Sequence, residues 1–311
     1  MHYLGMYQGP PLPPSIRGRS FTVANGEAAG VSRARMRRVD LAKPFHGVRV
    51  PRHGDAAAES LVTVYSKRMS PHHFFSHVTA AVIHGLPLPL ALQRSPVLHV
   101  CTEDPSARHG SRTVVGHHCR PGSIRVVEVA GLRVASPVDT WCQLSTVLSV
   151  DELIMVGDAL VRRVKPLASM EELRVAVARF AGHRGARKLR AALEWVRPGT
   201  DSPKETELRV LLVRAGLPEP EVNGIIVDRF GVKVATGDLV YRRYRVLVEY
   251  DGAQHREDEE QYHWDVDRLD DIMAEDWRVI RINKSHLGGR TPVAIRKVEA
   301  ALRARGWRPR T

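Results

Sequence analysis

The sequence predicts an α/β chain, α+β overall, made of three folded parts behind a lead-in. Three observations point there. Charge is divided along the chain: residues 1–200 hold 27 Lys and Arg against 14 Asp and Glu, while residues 201–311 hold 20 of each. Short alternating apolar runs recur between segments of helical periodicity, so strands and helices are interspersed. Arg197-Pro198-Gly199-Thr200-Asp201 then punctuates the chain as a linker, just ahead of a helix-start signal. The expected parts are a flexible lead-in (1–19), a helix-turn-helix (20–60), an α+β region with its linker (61–200) and a mixed sheet flanked by helices (201–311).

At 311 residues the chain can build two or three cores. Its net charge is +13, and the whole excess lies before residue 201. A polyanion is the natural partner for such a surface, double-stranded DNA first among them. The alternative is an Arg-rich composition with no partner. Cys101, Cys119 and Cys142 form neither a CxxC pair nor an even framework, which suits a reducing cytoplasm. The first residues lack the basic and apolar regions of a signal peptide, and no apolar run reaches the ~20 residues of a membrane span.

Pro-rich residues 1–19 read as the lead-in. Val23 to Ala29 predicts a helix ended by Gly30, and Ser32 caps a second one carrying Arg33, Arg35, Arg37 and Arg38. Two short helices with Arg massed on the second suit a helix-turn-helix entering a major groove. Phe45 to Pro51 follows as a short strand or wing, with Arg49 on it. A solvated basic helix is the alternative for this segment.

Leu61 to Leu90 predicts a helical segment in which His73 and His77 have i, i+4 spacing, two imidazoles on one face. No third ligand at a diagnostic spacing follows, so packing is the preferred role. Pro96–Glu103, Thr113–His118 and Ile124–Val134 predict strands. Ser136-Pro137-Val138-Asp139 opens a helix, and further helices are expected over Leu153–Val164 and Glu171–Phe180. His183–Val196 is a basic helix with an apolar stripe at Leu189, Ala192 and Val196; it either tracks phosphates or is simply solvated.

Ser202-Pro203-Lys204-Glu205 has an N-cap, a Pro at N1 and an acid at N3, a capping-box pattern. Lys233–Tyr241 and Tyr244–Asp251 are rich in Val, Leu and Tyr and predict a hairpin turning at Arg242-Arg243. If Tyr241 faces Tyr244, alternation puts Asp238, Leu247, Glu249 and Asp251 on one face. Asp238 and Glu249 are then diagonal neighbours, about 7–8 Å apart. Clustered acids repel and raise one another's pKa, and a shared Mg²⁺ or Mn²⁺ removes the conflict. An exposed face of solvated acids is the alternative. A helix over Gln261–Glu275, burying Val266, Leu269, Ile272 and Met273, a strand over Arg278–Ile282 and a helix over Pro292–Arg305 complete the order αβββαβα.

The pattern SPKETELRVLL, GDLVY, RVLVEYDGAQH and DVDRLDDIMAEDWRVIRI resembles the very-short-patch-repair-like branch of the PD-(D/E)xK nucleases, over about the last third of the chain. The resemblance implies a restriction-endonuclease-like sheet and divalent-metal hydrolysis of phosphodiesters. Asp238 would be the metal-binding acid of the "PD" element, with Gly237 in place of Pro, and Glu249 the acid of the second element. Asp251 stands where many relatives carry Lys, and His255 would take over the positioning of water. Glu205, with Glu207 as the alternative, matches a helix acid that reaches the metal. Asp265 and Arg268 match an Asp-x-x-Arg-like pattern, with Arg268 on a phosphate. FTVANGEAAGVSRARMRR with FHGVRVP and SHVTAAVIHGLPLP resembles the N-terminal winged helix of antitoxins of abortive-infection type IV toxin–antitoxin systems. The expected function is a DNA-binding, Mg²⁺- or Mn²⁺-dependent endonuclease of repair or phage defence, nucleoid-associated in the cytoplasm. The alternative is a non-catalytic, antitoxin-like transcriptional regulator with a nuclease-fold scaffold.

Overall fold

The computed structural model describes residues 10–53, 59–104, 106, 113–251, 268–288 and 292–309. The architecture is mixed α+β. Two compact units divide after Gln143: residues 1–143 and 144–311. This division falls within the segment 61–200, which is shared between the two units.

In the first unit, β1 (Phe21–Thr22), β2 (Leu41–Ala42) and β3 (Val48–Pro51) form a small sheet in the order β1-β3-β2. Helix α1 (Val23–Ala28) starts at Thr22, whose hydroxyl accepts from the Asn25 N–H. The expected second helix is only a 3₁₀ turn, Arg35–Arg37. Ser32 does accept from the Arg35 N–H, but the chain then turns to bury Met36. Gly26 makes room for it: a Cβ there would meet the Met36 sulfur at 2.4 Å.

Helix α2 (Leu61–Ser66) is followed by β4 (His73–Phe75) and α3 (His77–Ile83), so the expected long helical segment is interrupted by a strand. Phe74 and Phe75 explain it, because both are fully buried within a sheet. That sheet adds β5 (Leu98–Thr102), β6 (Val114–His118), β7 (Val126–Val129) and β8 (Leu132–Ala135), in the order β6-β5-β4-β8-β7. The predicted strand Ile124–Val134 is in fact the β7–β8 hairpin, turned by Ala130 and Gly131, both at positive φ. Helix α4 (Leu90–Gln93) follows α3, and α5 (Pro137–Leu144) follows β8, opened by Ser136 and Asp139 as expected.

The second unit begins with α6 (Val150–Leu160), α7 (Met170–Arg179) and α8 (Ala186–Leu193); full capping boxes, Ser149/Glu152 and Ser169/Glu172, start the first two. Helix α9 (Pro203–Arg214) packs against α6. The reason is a buried ion pair: Arg209 of α9 reaches Asp158 of α6 at 2.9 Å, both side chains fully enclosed. Thr206 and the Arg197 N–H also donate to Asp158, each at 2.8 Å. The expected linker is thus part of the packed structure, with Thr200 buried within it. Stranded beyond it are β9 (Glu221–Val227), β10 (Lys233–Tyr241), β11 (Val246–Tyr250) and β12 (Arg278–Ile282), in the order β12-β11-β10-β9. Neighbours are antiparallel except β11–β12, which are parallel.

A helix over 268–274, α10, precedes β12, and α11 (Val293–Ala304) closes the chain. Leu208 and Leu212 of α9 and Val298 and Leu302 of α11 cover one sheet face with Leu239, Tyr241, Val246 and Val248. Ile272 of α10 and Trp277 cover the other with Ala235, Val240 and Leu247. Ile272 is buried as expected, but Met273 is half exposed; the predicted Val266 contact lies outside the described residues.

Candidate functional site: a carboxylate cluster and a histidine cluster

The β10–β11 hairpin differs from the two-residue turn predicted for it. Arg242–Tyr244 form a 3₁₀ turn, and Arg245 takes a left-handed φ of 49°. Tyr241 therefore pairs with Val246, not Tyr244. Extending that register by one step places Asp238 directly across from Glu249 rather than diagonal to it.

Alternation along β10 also slips. Ala235 and Val240 are five residues apart yet pack in one cluster, with Leu239 and Tyr241 in the other. A Cβ on Gly237 would meet Leu247 at 2.2 Å, on the side of Val240. The single shared face expected for Asp238, Leu247, Glu249 and Asp251 thus does not follow from simple period-two counting. Across the sheet, the register puts Asn223 of β9 opposite Asp238, and Asn223 has a φ of 47°.

Three acids from three elements come within electrostatic reach of one another here. The Asp238 carboxylate accepts the Tyr250 N–H at 2.8 Å. Glu205, buried on the first turn of α9, accepts from the Asp201 N–H at 3.0 Å and from Asn223 Nδ2 at 2.9 Å. Ser202 caps this helix, but Glu205 reaches Asp201, one residue outside the expected capping box. Glu249, also buried, holds both carboxylate oxygens on Arg268 Nη2, at 2.9 and 3.0 Å. Burial first, then the Glu205 charge, pushes the Asp238 carboxyl up to about 7. Glu249 pushes the same way; the Tyr250 N–H and the Arg268 charge pull against it.

Asp251 is engaged by Arg281 of β12 at 3.2 Å. Arg268, expected on a phosphate, is drawn onto Glu249 and also donates to the Thr236 carbonyl. Glu207 is paired with Lys204 on the helix surface. His255 and Asp265 lie outside the described residues.

The basic candidates of the first unit divide by what they already hold. Arg35 spans Asp40 with two bonds and donates to the Pro10 carbonyl. Arg49, on β3, donates to the Met36 and Val48 carbonyls, so both are engaged within this unit. Arg33 pairs with Glu27 at 2.5 Å but is largely exposed, and Arg37 and Arg38 are exposed.

A second donor cluster was not foreseen. His77 opens α3, while His99 and His117 project from the parallel neighbours β5 and β6. Among the described residues this is the one group of three or more such side chains whose ligand atoms all lie within 4.8 Å of one another, and it could hold a metal ion. His99 Nδ1 and His117 Nε2 are 3.0 Å apart, and the His77 and His117 rings stack at 3.7 Å. Burial, then the neighbouring His117 and His99, pushes His77 down to about 3. His73, its expected i, i+4 companion, sits on β4 with its Nδ1 on Ser70. His77 was visible in the sequence as a possible ligand; its two companions come from strands far along the chain.

No family model, curated protein or solved structure matches this chain.

Proposed function

We propose that this chain is a DNA-binding, divalent-metal-dependent phosphodiesterase, with its active site at Glu205, Asp238 and Glu249. The observation that supports it is Asp238, a carboxyl pushed up to about 7 by burial and by two further acids at the point where β10 changes face. A carboxylate kept among like charges in a partly dry site is a common signature of a functional centre. Oxygen donors of this kind suit Mg²⁺ or Mn²⁺ rather than a softer metal.

Asp238 and Glu249 would hold the cation, with Glu205 beside them. When bound, it supplies polarisation of a phosphodiester and a more acidic water. The protein's own part is positional. Asn223 and the Asp201 N–H fix Glu205, and the Tyr250 N–H fixes Asp238. Arg268, tied to Glu249 here, is the group able to exchange that carboxylate for a substrate phosphate. Asp251, or His255, orients the attacking water. Exposed Arg37 and Arg38, with the basic excess of residues 1–200, supply duplex attraction.

One observation favours a second reading, a regulator without catalysis: Arg268 already neutralises Glu249, so the cluster can stand without a metal. The two are separated by incubating the full chain with duplex, mismatched, branched and single-stranded DNA, with and without Mg²⁺ or Mn²⁺. Metal-dependent nicking that disappears in Asp238→Ala and Glu249→Ala, with DNA binding retained, supports the enzyme. Duplex binding with no cleavage of any substrate replaces it with the regulator.

A further inference from the structure

The histidine cluster of the first unit is independent of the acids, and no step of the proposed reaction uses it. Its construction is specific. The His99 N–H donates to the Thr79 hydroxyl at 2.7 Å, and the Ser76 N–H donates to the His99 carbonyl at 3.0 Å. The start of α3 is thereby fastened to β5 at the level of His99. His77 itself occupies a left-handed φ of 49°, a region few non-glycine residues enter, and its N–H is held by Gln143 Oε1 at 2.9 Å. Such a conformation persists where the surroundings over-determine it, commonly at ligand sites. Ser76 Oγ, 3.1 Å from His77 Nδ1, orients that ring.

We infer that His77, His99 and His117 form a binding site for one divalent transition-metal cation of the zinc class. Three imidazoles and no carboxylate within the set select a borderline cation over Mg²⁺ or Ca²⁺. Tetrahedral coordination at zinc–nitrogen distances of about 2.0–2.1 Å places ligand nitrogens about 3.3–3.4 Å apart. The His99–His117 separation of 3.0 Å is within a few tenths of that spacing. The remaining approach, from within 4.8 Å, needs ring rotation about the broad His χ2 torsion rather than backbone movement. Rotation is required in any case, because the His99 and His117 planes lie 15° apart and parallel rings do not aim at one point. Three protein ligands leave a fourth position for water or another donor.

The test uses the untagged full chain, stripped with chelator and titrated with Zn²⁺, with Co²⁺ as a spectroscopic probe. The expected result is one Zn²⁺ per chain and a Co²⁺ visible spectrum of tetrahedral intensity. His99→Gln and His117→Gln each weaken Zn²⁺ binding on the order of 100-fold or more, while Asp238→Asn leaves it unchanged. Circular dichroism of each variant separates lost ligation from lost folding, and His73→Gln, beside the site but outside it, is the matched control expected to bind normally. Failure of the folded wild-type chain to bind Zn²⁺ overturns the inference. So does stoichiometric binding that survives in the folded His99→Gln, His117→Gln double variant.

Discussion

The two donor clusters hold their ligands on opposite electrostatic terms. In the first unit, three imidazoles gather, and the His77 and His117 rings stack at 3.7 Å. In the second, three carboxyl groups lie near one another; burial first, then the neighbouring acids, raises Asp238 to about 7, and Arg268 is drawn onto Glu249. The supports differ accordingly. The histidines hang from strands and a helix start fastened by backbone bonds. The acids need N–H donors, an amide and a guanidinium, each spent on one carboxylate. The imidazole set needs only ring rotation to meet a borderline cation; the acidic one carries its own competitors, a proton and an arginine.

The sharpest break in that contrast comes from removing one acid. Asp238→Ala is expected to lower metal-dependent cleavage by about 10³-fold or more, the equivalent of several kcal/mol of charge stabilisation. Retained cleavage in the nicking assay would place the chemistry elsewhere.

Next in size is the support beneath the acids. Arg209→Ala leaves Asp158 buried with its ion partner gone and should lower stability by about 3–5 kcal/mol. Denaturant unfolding followed by fluorescence reads this directly, and a change below 1 kcal/mol would show the pair to be replaceable.

A smaller effect separates the clusters by pH. The folded chain holds the Asp238 proton up to about pH 7, whereas the unfolded chain releases it near 3.8. Folding therefore takes up a proton between these values, and stability falls as pH rises through that window. The metal-free protein should melt at a lower temperature at pH 8 than at pH 6, by an amount that Asp238→Asn reduces. Mg²⁺ should recover the loss at pH 8 and do little at pH 6, where the proton competes. An Asp238→Asn protein with an unaltered pH profile would assign the dependence to other groups.

The smallest expected change concerns DNA. Affinity for duplex should fall steeply with salt, and Arg37→Ala should lessen the salt slope by about one. Arg33→Ala should change it less, because Glu27 already shares that charge. Equal slopes for all three proteins would remove Arg37 from the interface.

The sequence showed the β10–β11 hairpin clearly, because Val, Leu and Tyr mark both strands and two arginines mark the turn. It mis-set the register by two residues, since nothing local reveals that Arg245 would enter the left-handed region. An even error kept Asp238 and Glu249 neighbours. The slip of face within β10 was less visible still: it depends on Leu247 filling the space beside Gly237, a contact between strands. For Arg268 the sequence suggests a phosphate where the structure has a carboxylate, because the two make the same demand on a guanidinium. Asn223 carried a usable signal, an Asn beside a Gly in an apolar strand, a pair that tolerates positive φ. The histidines carried none beyond His77, since β5 and β6 become neighbours only in the folded sheet. Helix starts were the most legible feature, Ser202 and Ser136 among them, because a cap is settled within four residues.

Asn223 has one more effect, on molecules other than its own. Among the described residues β9 is an outermost strand of its sheet, and Ile225 and Val227 on it are substantially exposed. A straight, apolar border strand is an open template on which another chain can add itself and begin a fibre. The left-handed residue at 223 and the register shift opposite Val227 bracket that strand with irregularities, leaving an incoming chain only a short regular stretch to copy. The same residue that steadies Glu205 thus also guards the sheet against self-association.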